Sequence, residues 1–182
     1  SLVTGRCNMN LPNKLTIGRI IAVPFFIAAF LMGYYLVAFV IFIAASFTDL
    51  LDGKIARARG LVTNFGKIMD PLADKILVYS ALCLLLDDGV IAGWMLIVIL
   101  AREFAIAGMR TVAASEGTVI AAGMSGKIKT VLQMIAVPVL ILSMIPIPVL
   151  RTPGLIIFYA SLVMTVYSGC EYIIKNKNVF SM

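Results

Sequence analysis

The feature that most constrains this chain is a long run without any charged residue, at positions 20–48. The run exceeds the roughly 20 apolar residues that cross a bilayer once as a helix, but it is short for two upright crossings. Basic residues precede it at Lys14 and Arg19 and follow it from Lys54 onwards. Because short cytoplasmic loops are rich in lysine and arginine, both flanks are expected on the cytoplasmic side. The run therefore predicts two crossings, joined by a turn at 33–35.

The composition favours a lipid environment for the whole chain. Its 182 residues are 62% hydrophobic, and the mean hydropathy is +1.05. A soluble fold could not cover this much apolar surface, so we expect a single integral membrane domain at 9–182. Residues 1–8 differ in character from the rest of the chain and are expected to be a non-native leader, with Met9 as the native start. The net charge of +6 favours anionic lipid headgroups and phosphate-bearing substrates over nucleic acid.

Two residue types limit the chemistry that the chain can carry out. The sequence contains no histidine, which excludes imidazole acid–base catalysis and most zinc sites. Its three cysteines, Cys7, Cys83 and Cys170, are odd in number and lack metal-binding spacing. No disulfide framework is therefore expected.

Hydrophobic runs and turn residues predict an all-α membrane protein with six transmembrane helices. The predicted helices run from Pro12 to the turn at 33–35, from there to Ala58, over 65–86, over 91–113, from Gly126 to Pro146, and over 154–174. Basic residues then fall on one side of the membrane at every expected point except Arg151, which sits in a predicted external turn. Both termini are expected in the cytoplasm, with a short juxtamembrane helical segment at the N-terminus.

Four of the chain's nine acidic residues fall between positions 49 and 74. Charges at membrane depth are costly and usually face a cavity, pair with one another or bind an ion. With about 100° between successive helical residues, the acids share two helix faces with small residues. These faces comprise Asp49, Asp52, Gly53 and Ala56 on one helix and Gly66, Asp70 and Asp74 on the next.

Four carboxylates this close cannot all stay ionised without a counter-charge. Oxygen ligands without histidine or cysteine favour Mg²⁺ or Mn²⁺, of which we expect two ions bridging phosphate oxygens. Arg57, Arg59 and Lys67 lie near the same end and can meet further phosphate charge. Pro71 either lies in the first turn of its helix or frees the carbonyl of Lys67 within it. The residues alone also allow a divalent-cation or proton transport site.

The spacing of these residues resembles the signature of the CDP-alcohol phosphotransferase family, Asp-x2-Asp-Gly-x2-Ala-Arg-x8-Gly-x3-Asp-x3-Asp. Every defined position of that signature is present in this chain. The matching residues are Asp49, Asp52, Gly53, Ala56, Arg57, Gly66, Asp70 and Asp74. The opening at 9–19 and the segments at 101–110 and 126–130 resemble the phosphatidylglycerophosphate synthases within that family.

The resemblance implies a homodimer in which a second alcohol displaces CMP from a CDP-linked alcohol with the help of divalent metal. It implies that Asp49, Asp52 and Asp70 hold metal under the CDP pyrophosphate, with Asp74 close enough to share it. The implied catalytic residues are Asp70 and Asp74, and Asp74 is the candidate base for the attacking hydroxyl. The implied contacts to the CDP moiety are Gly53, Ala56, Arg57 and Gly66. Thr16 and Arg19 are further candidates for the nucleotide or phosphate side of the site.

Four cations near the inner ends of two helices are candidates for binding the acceptor alcohol through a phosphate group: Arg102, Arg110, Lys127 and Lys129. Each could instead be a positive-inside or snorkelling residue, although Arg102 lies deeper in its helix. Glu103 points about 100° away from Arg102 on a helix. Glycerol 3-phosphate fits such a group of cations. Inositol phosphate, serine and phosphatidylglycerol are the alternative acceptors within the family.

The expected reaction joins CDP-diacylglycerol and sn-glycerol 3-phosphate to give phosphatidylglycerophosphate and CMP, a step of phospholipid biosynthesis. The glycerol 1-hydroxyl attacks the phosphorus on the diacylglycerol side, and CMP leaves. The expected location is a bacterial-type plasma membrane, with the active site facing the cytoplasm. A transporter would tend to carry an acidic path across the bilayer, yet no acidic residue lies between Asp74 and Asp87.

Overall fold

The computed structural model describes residues 11–59, 64–115, 123–145 and 148–176, and the side chains at 11–16, 49–59, 64–71, 74 and 148 lie outside that description. Within the described residues the chain forms six α-helices, one 3₁₀ turn and no strand. The helices are α1 Leu11–Leu31, α2 Tyr35–Arg59, α3 Asn64–Asp87, α4 Gly93–Ser115, α5 Met124–Leu142 and α6 Arg151–Lys175, and the 3₁₀ turn is Pro148–Leu150. The predicted all-α architecture is therefore confirmed.

Two helices satisfy the length and composition needed to cross a bilayer among the described residues, namely α5 and α6. Shorter apolar stretches occupy Ile17–Leu31 in α1 and Tyr35–Thr48 in α2. Because α1 begins at Leu11 and has no break, the predicted juxtamembrane segment is continuous with the first apolar stretch. Six membrane crossings and cytoplasmic termini stay predictions.

The end of α5 differs from the sequence-based expectation, which extended the helix to Pro146. α5 ends at Leu142, after which the N–H groups of Met144 and Ile145 bond to carbonyls three residues back rather than four. The Ser143 hydroxyl also donates to the Leu140 carbonyl at 2.7 Å. Tighter bonds of this kind use up the carbonyls that a helix leaves open at its C-terminus, so the helix stops before the proline is reached.

The predicted external turn at 151–154 is wrong. Arg151 begins α6, and the turn lies upstream in the 3₁₀ segment. Pro153 falls in the first turn of α6, where the missing proline N–H would have no helical partner in any case. A proline at this position therefore starts a helix more readily than it interrupts one.

The chain divides into two compact units, of which the first ends at Ala81. In this unit α1 and α2 form an antiparallel hairpin, and Gly33 at the turn has φ 78°. The Gly33 N–H bonds to the Phe30 carbonyl at 2.9 Å, and the Tyr34 N–H bonds to the Ala29 carbonyl at 2.9 Å. This is the Schellman motif, which requires a left-handed residue that glycine adopts without strain. The predicted turn is confirmed.

Aromatic side chains lock the hairpin next to this turn. Phe26 and Phe42 are fully buried, and their ring centroids lie 6.0 Å apart. Phe30 packs against Phe26 at 6.2 Å and meets the edge of Tyr35 at 5.2 Å. Such pairs contribute about 0.5–1.5 kcal/mol each beyond area burial. They hold α1 and α2 in one register, which sets the level at which the polar ends of these helices lie.

The second unit opens with another glycine turn, at the end of α3. Gly89 has φ 67°, its N–H bonds to the Leu86 carbonyl at 3.0 Å, and the Val90 N–H bonds to the Leu85 carbonyl at 2.9 Å. The bonding pattern is again a Schellman motif. α3 therefore ends at Asp87, one residue beyond the predicted end at 86.

In the second unit α5 packs against α6, and α4 also packs against α6. Val137, Leu140, Ile141 and Phe158 are fully buried in this core. Gly154 lets the two backbones approach, since a Cβ at that position would lie 2.9 Å from a methyl carbon of Leu140. Small residues at helix contacts are typical of membrane proteins, in which close van der Waals packing replaces the hydrophobic effect between helices.

Gly154→Ala should lower the stability of the α5–α6 pair, because the added methyl meets side chains that are already packed. Overpacking of this kind costs about 1–3 kcal/mol. Gly108→Ala is the matched control, since Gly108 also lies within a helix but a Cβ added there would have nothing within 4 Å. It should be neutral or stabilising by up to about 1 kcal/mol. Thermal unfolding in detergent would measure both, and equal shifts would contradict the packing argument.

Candidate functional site

The first half of the acidic signature lies on α2, which is helical through Asp49, Asp52, Gly53, Ala56 and Arg57. Helical positions three, four and seven residues apart lie on the same side of a helix. The backbone therefore supports the predicted shared face of two aspartates and two small residues. The side chains of all five residues lie outside the description, so their contacts stay predictions.

The second half lies on α3, which carries Gly66, Asp70 and Asp74. This helix starts at residue 64 and continues through Pro71, so the alternative that Pro71 sits in the first turn is wrong. Because proline has no N–H, the carbonyl of Lys67 lacks its usual helical donor. The signature thus includes a backbone oxygen without a helical partner, one turn before Asp70.

A short connection brings the two halves of the signature near each other. α2 ends at Arg59 and α3 begins at Asn64. Five residue steps can span at most about 18 Å when fully extended. The signature positions therefore lie on two helix segments whose adjoining ends are no further apart than this limit.

Arg19 lies on α1 at the level where the signature begins. At about 1.5 Å per residue, Arg19 and Asp49 lie about 21 Å and 24 Å from Gly33 along the two helices of the hairpin. Arg19 is only 3% exposed. Thr16, whose side chain lies outside the description, precedes it by about one turn of α1. The hairpin thus places both predicted α1 residues at the polar end of α2.

The metal prediction rests on the signature aspartates alone. Among the side chains that the structure describes, no group of three or more acidic or cysteine residues could hold a metal ion. Asp49, Asp52, Asp70 and Asp74 are outside that set. Their carboxylate chemistry, on two adjoining helices, suits a hard divalent cation.

The second unit contains an ion-paired triad that joins α4 and α5. One carboxylate oxygen of Glu103, Oε1, accepts hydrogen bonds from Arg102 Nη1 at 2.6 Å and from Lys129 Nζ at 2.9 Å. The side chains of Arg102, Glu103 and Lys129 are 15%, 13% and 5% exposed. Two of the predicted acceptor-binding cations therefore meet at one point, largely out of solvent.

The expectation that Glu103 points away from Arg102 is wrong for the ends of these side chains. Neighbouring Cβ atoms on a helix do diverge by about 100°. Both side chains are long enough to turn back towards each other, and Lys129 on α5 draws the Glu103 carboxylate to the same place. The helical angle describes where a side chain starts and not where its charge lies.

Three neighbours shape the position of Arg102. Its Nη2 donates to the Ser168 hydroxyl on α6 at 3.1 Å. A Cβ at Gly126 on α5 would lie 3.0 Å from Nη2, and a Cβ at Gly169 on α6 would lie 3.1 Å from the Arg102 Cγ. The arginine side chain therefore occupies space that exists because two facing helices carry glycine.

The other two predicted cations are more exposed than the triad. Arg110 is exposed, its Nε donates to the Tyr172 hydroxyl at 3.3 Å, and its guanidinium carbon lies 5.6 Å from the centroid of the Tyr172 ring. Lys127 is exposed at the start of α5. The structure therefore separates the four cations into an enclosed pair and two residues that face outwards.

Sequence reasoning missed the α6 residues that meet these cations. Ser168 bonds to Arg102 and Tyr172 to Arg110. Both continue a row of buried polar residues, spaced three or four apart, that also includes Ser161 and Thr165, whose hydroxyls bond within α6. That row was readable as a polar face. Glu171 beside it accepts hydrogen bonds from the Ser125 hydroxyl and from Lys175.

The sequence model of CDP-alcohol phosphatidyltransferases matches residues 9–167. The chain belongs to the CDP-alcohol phosphatidyltransferase family. The match contains both halves of the signature and all four cations. Ser168 and Tyr172 on α6 lie beyond its end, so their contacts with Arg102 and Arg110 come from the structure alone.

Individual relatives in the family cover the chain almost completely. A Bacillus subtilis (strain 168) protein named CDP-diacylglycerol–glycerol-3-phosphate 3-phosphatidyltransferase is 43% identical, over 92% of this chain and 95% of its own length. A Rickettsia felis protein of the same name is 38% identical, over 96% of this chain and 99% of its own. A CMP-forming cardiolipin synthase of Oryza sativa subsp. japonica is 38% identical, over 92% of this chain and 57% of its own.

Lys129→Met should destabilise the second unit, because it removes a cation that bonds to a Glu103 carboxylate largely withdrawn from water. Breaking a buried ion pair from one side costs about 3–5 kcal/mol, and we expect the lower part of that range at this partly exposed site. Lys127→Met is the control on the same helix, since Lys127 is exposed. Thermal unfolding should show a clear loss for the first variant and little change for the second. Comparable losses would contradict the pairing.

Proposed function

We propose that the protein transfers the phosphatidyl group of CDP-diacylglycerol to sn-glycerol 3-phosphate, giving phosphatidylglycerophosphate and CMP. The observation that carries this proposal is the complete family signature on α2 and α3. It is joined by 38–43% sequence identity, over almost the whole chain, to proteins named for that reaction. The family match also favours a transferase over a cation or proton transporter.

The proposed setting is a bacterial-type plasma membrane, crossed six times, with both termini and the active site on the cytoplasmic side. The spans α5 and α6 and the apolar stretches of α1 and α2 support a membrane location. The distribution of lysine and arginine supports the orientation. A homodimer is proposed from the family resemblance.

The proposed donor site uses both signature helices. Asp49, Asp52 and Asp70 would hold Mg²⁺ or Mn²⁺, two ions in all, and Asp74 would share them. Bound metal would neutralise the pyrophosphate and stabilise the charge on departing CMP. The donor set fits, since carboxylate oxygens without nitrogen or sulfur ligands suit these ions.

The remaining signature residues would position the nucleotide and the attacking hydroxyl. Gly53 and Ala56 have side chains small enough to leave room against α2, and Arg57 can pair with phosphate. Gly66 permits close helix approach, and Thr16 would contact the CDP moiety. The glycerol 1-oxygen forms a bond to the diacylglycerol-side phosphorus as the bond to CMP breaks. The hydroxyl proton passes to the Asp74 carboxylate.

The proposed acceptor site is built from the cations of α4 and α5. Arg102 and Lys129 meet at Glu103 with little exposure and would receive the phosphate of the acceptor. Arg110 and Lys127 face outwards and would add attraction for an anion. An acceptor with its own phosphate group would form ion pairs with these cations. Serine or phosphatidylglycerol would pair with them to a smaller extent. The chain also covers far less of the cardiolipin synthase than of the glycerol 3-phosphate enzymes.

Purified protein supplied with CDP-diacylglycerol and Mg²⁺ should release CMP when glycerol 3-phosphate is added. Inositol phosphate, serine and phosphatidylglycerol should each give little release. Chelation with EDTA should lower the rate by roughly a hundred-fold or more, and Mg²⁺ or Mn²⁺ should restore it. CMP release with phosphatidylglycerol alone would overturn the choice of acceptor. No release with any acceptor would overturn the transferase.

Asp74→Asn should remove the base and lower turnover by roughly 10²–10⁴-fold. Binding of CDP-diacylglycerol, measured by calorimetry in the presence of Mg²⁺, should change by less than about three-fold, which is under 1 kcal/mol. Asp88→Asn, in the exposed turn after α3, is the matched control and should leave both quantities unchanged. An equal loss of binding and turnover would make Asp74 chiefly a metal ligand.

A further inference from the structure

We propose that Glu103 is a positioning residue that sets the acceptor phosphate site, by holding Arg102 and Lys129 at one point. The inference deepens the proposed function and rests on it. It starts from the shared oxygen, because Arg102 Nη1 and Lys129 Nζ both donate to Glu103 Oε1. The two cations come from different helices, α4 and α5, and this oxygen links them.

The shared bond limits the distance between the two charges. Because each nitrogen lies within 2.9 Å of the same oxygen, the two nitrogens lie less than roughly 6 Å apart. One phosphate group can reach both nitrogens across such a gap with hydrogen bonds of ordinary length. Glu103 therefore gives the pair a spacing that suits a phosphomonoester.

The charge balance of the triad also suits an anion. Two cations that are 15% and 5% exposed would repel one another in a poorly hydrated setting without a carboxylate between them. Glu103 offsets one charge and leaves the triad with a net charge of +1. The carboxylate therefore lets the two cations stay at one point.

The Arg102 guanidinium has donors to spare. Within the described part of the chain, two of its five N–H groups form hydrogen bonds, one to Glu103 and one to Ser168, and its buried Nε has no partner there. The bonds to Glu103 and Ser168 hold the guanidinium in the space that Gly126 and Gly169 leave open. A preorganised arginine loses less freedom when it binds phosphate.

The test uses full-length protein in lipid nanodiscs, with CMP release measured against the concentration of glycerol 3-phosphate. Glu103→Gln keeps the shape and removes the charge, and should raise the KM for glycerol 3-phosphate by roughly ten-fold with kcat changed by less than about three-fold. The KM for CDP-diacylglycerol should stay the same. Glu103→Asp, which keeps the charge, should recover part of the lost affinity.

Glu171→Gln is the matched control for removing an ion-paired carboxylate from the same unit. Glu171 bonds to Ser125 and Lys175, and its described contacts do not include Arg102 or Lys129. The KM for glycerol 3-phosphate and the kcat of the Glu171→Gln variant should stay within about two-fold of those of the unmodified protein. Inorganic phosphate should inhibit Glu103→Gln more weakly than Glu171→Gln. Phosphate can occupy the proposed anion site, but it has no alcohol group to accept the phosphatidyl group.

Several outcomes would overturn the inference. An unchanged KM in Glu103→Gln would do so, as would an equal loss of kcat and of CDP-diacylglycerol binding, which would mark a purely structural role. If Glu103→Gln does not fold, Ser168→Ala keeps the carboxylate and loosens Arg102, and its KM for glycerol 3-phosphate should rise by about three-fold; no rise would count against the proposal. If the unmodified protein fails to use glycerol 3-phosphate, the proposed function fails as well.

Discussion

Keeping charges paired inside an apolar chain is the condition on which the second unit depends. Water would otherwise solvate Arg102, Glu103 and Lys129, and at their low exposure it cannot do so fully. The triad solves this by bringing a cation from α5 to an ion pair on α4. Ser168 adds a contact from α6. Three helices thus meet at a polar point, while apolar packing holds the rest of α5 and α6 together.

The first unit meets a related demand by geometry. Gly33 reverses the chain within a few residues, and the aromatic side chains next to it hold α1 and α2 in register. That register brings Arg19 to the level at which the acidic signature begins. A looser turn would leave the two polar ends at different depths, where neither could serve the other.

Much of the fold was predictable because local chemistry determines where these helices end. Gly33 and Gly89 adopt a left-handed conformation that few other residues tolerate, and both turns were expected. Pro71 and Pro153 were harder, because proline stops a helix in one position and starts one in another. The end of α5 depends on a shift to tighter hydrogen bonds after Leu142. No single residue type in the sequence predicts that shift.

In the candidate site, too, local features were predictable and contacts between helices were not. Spacing within one helix predicted that the signature residues share a face, because that property is local. Spacing could not predict that Lys129 reaches Glu103, since their pairing depends on how α4 and α5 pack. The same holds for Ser168 and Tyr172, which join the site from a helix that carries no signature residue. Long side chains with charged ends are the residues for which helical angles inform least.

The glycines around Arg102 have a consequence for how the site is assembled. Gly126 and Gly169 belong to α5 and α6, yet their missing side chains form the space that an α4 residue occupies. That space exists only when the three helices have docked. Arg102 cannot take up its bonded position in a partly assembled chain, so anion affinity at this point arises with the tertiary fold. A phosphate bound by Arg102 and Lys129 would then link α4 to α5 and stabilise the folded unit by mass action.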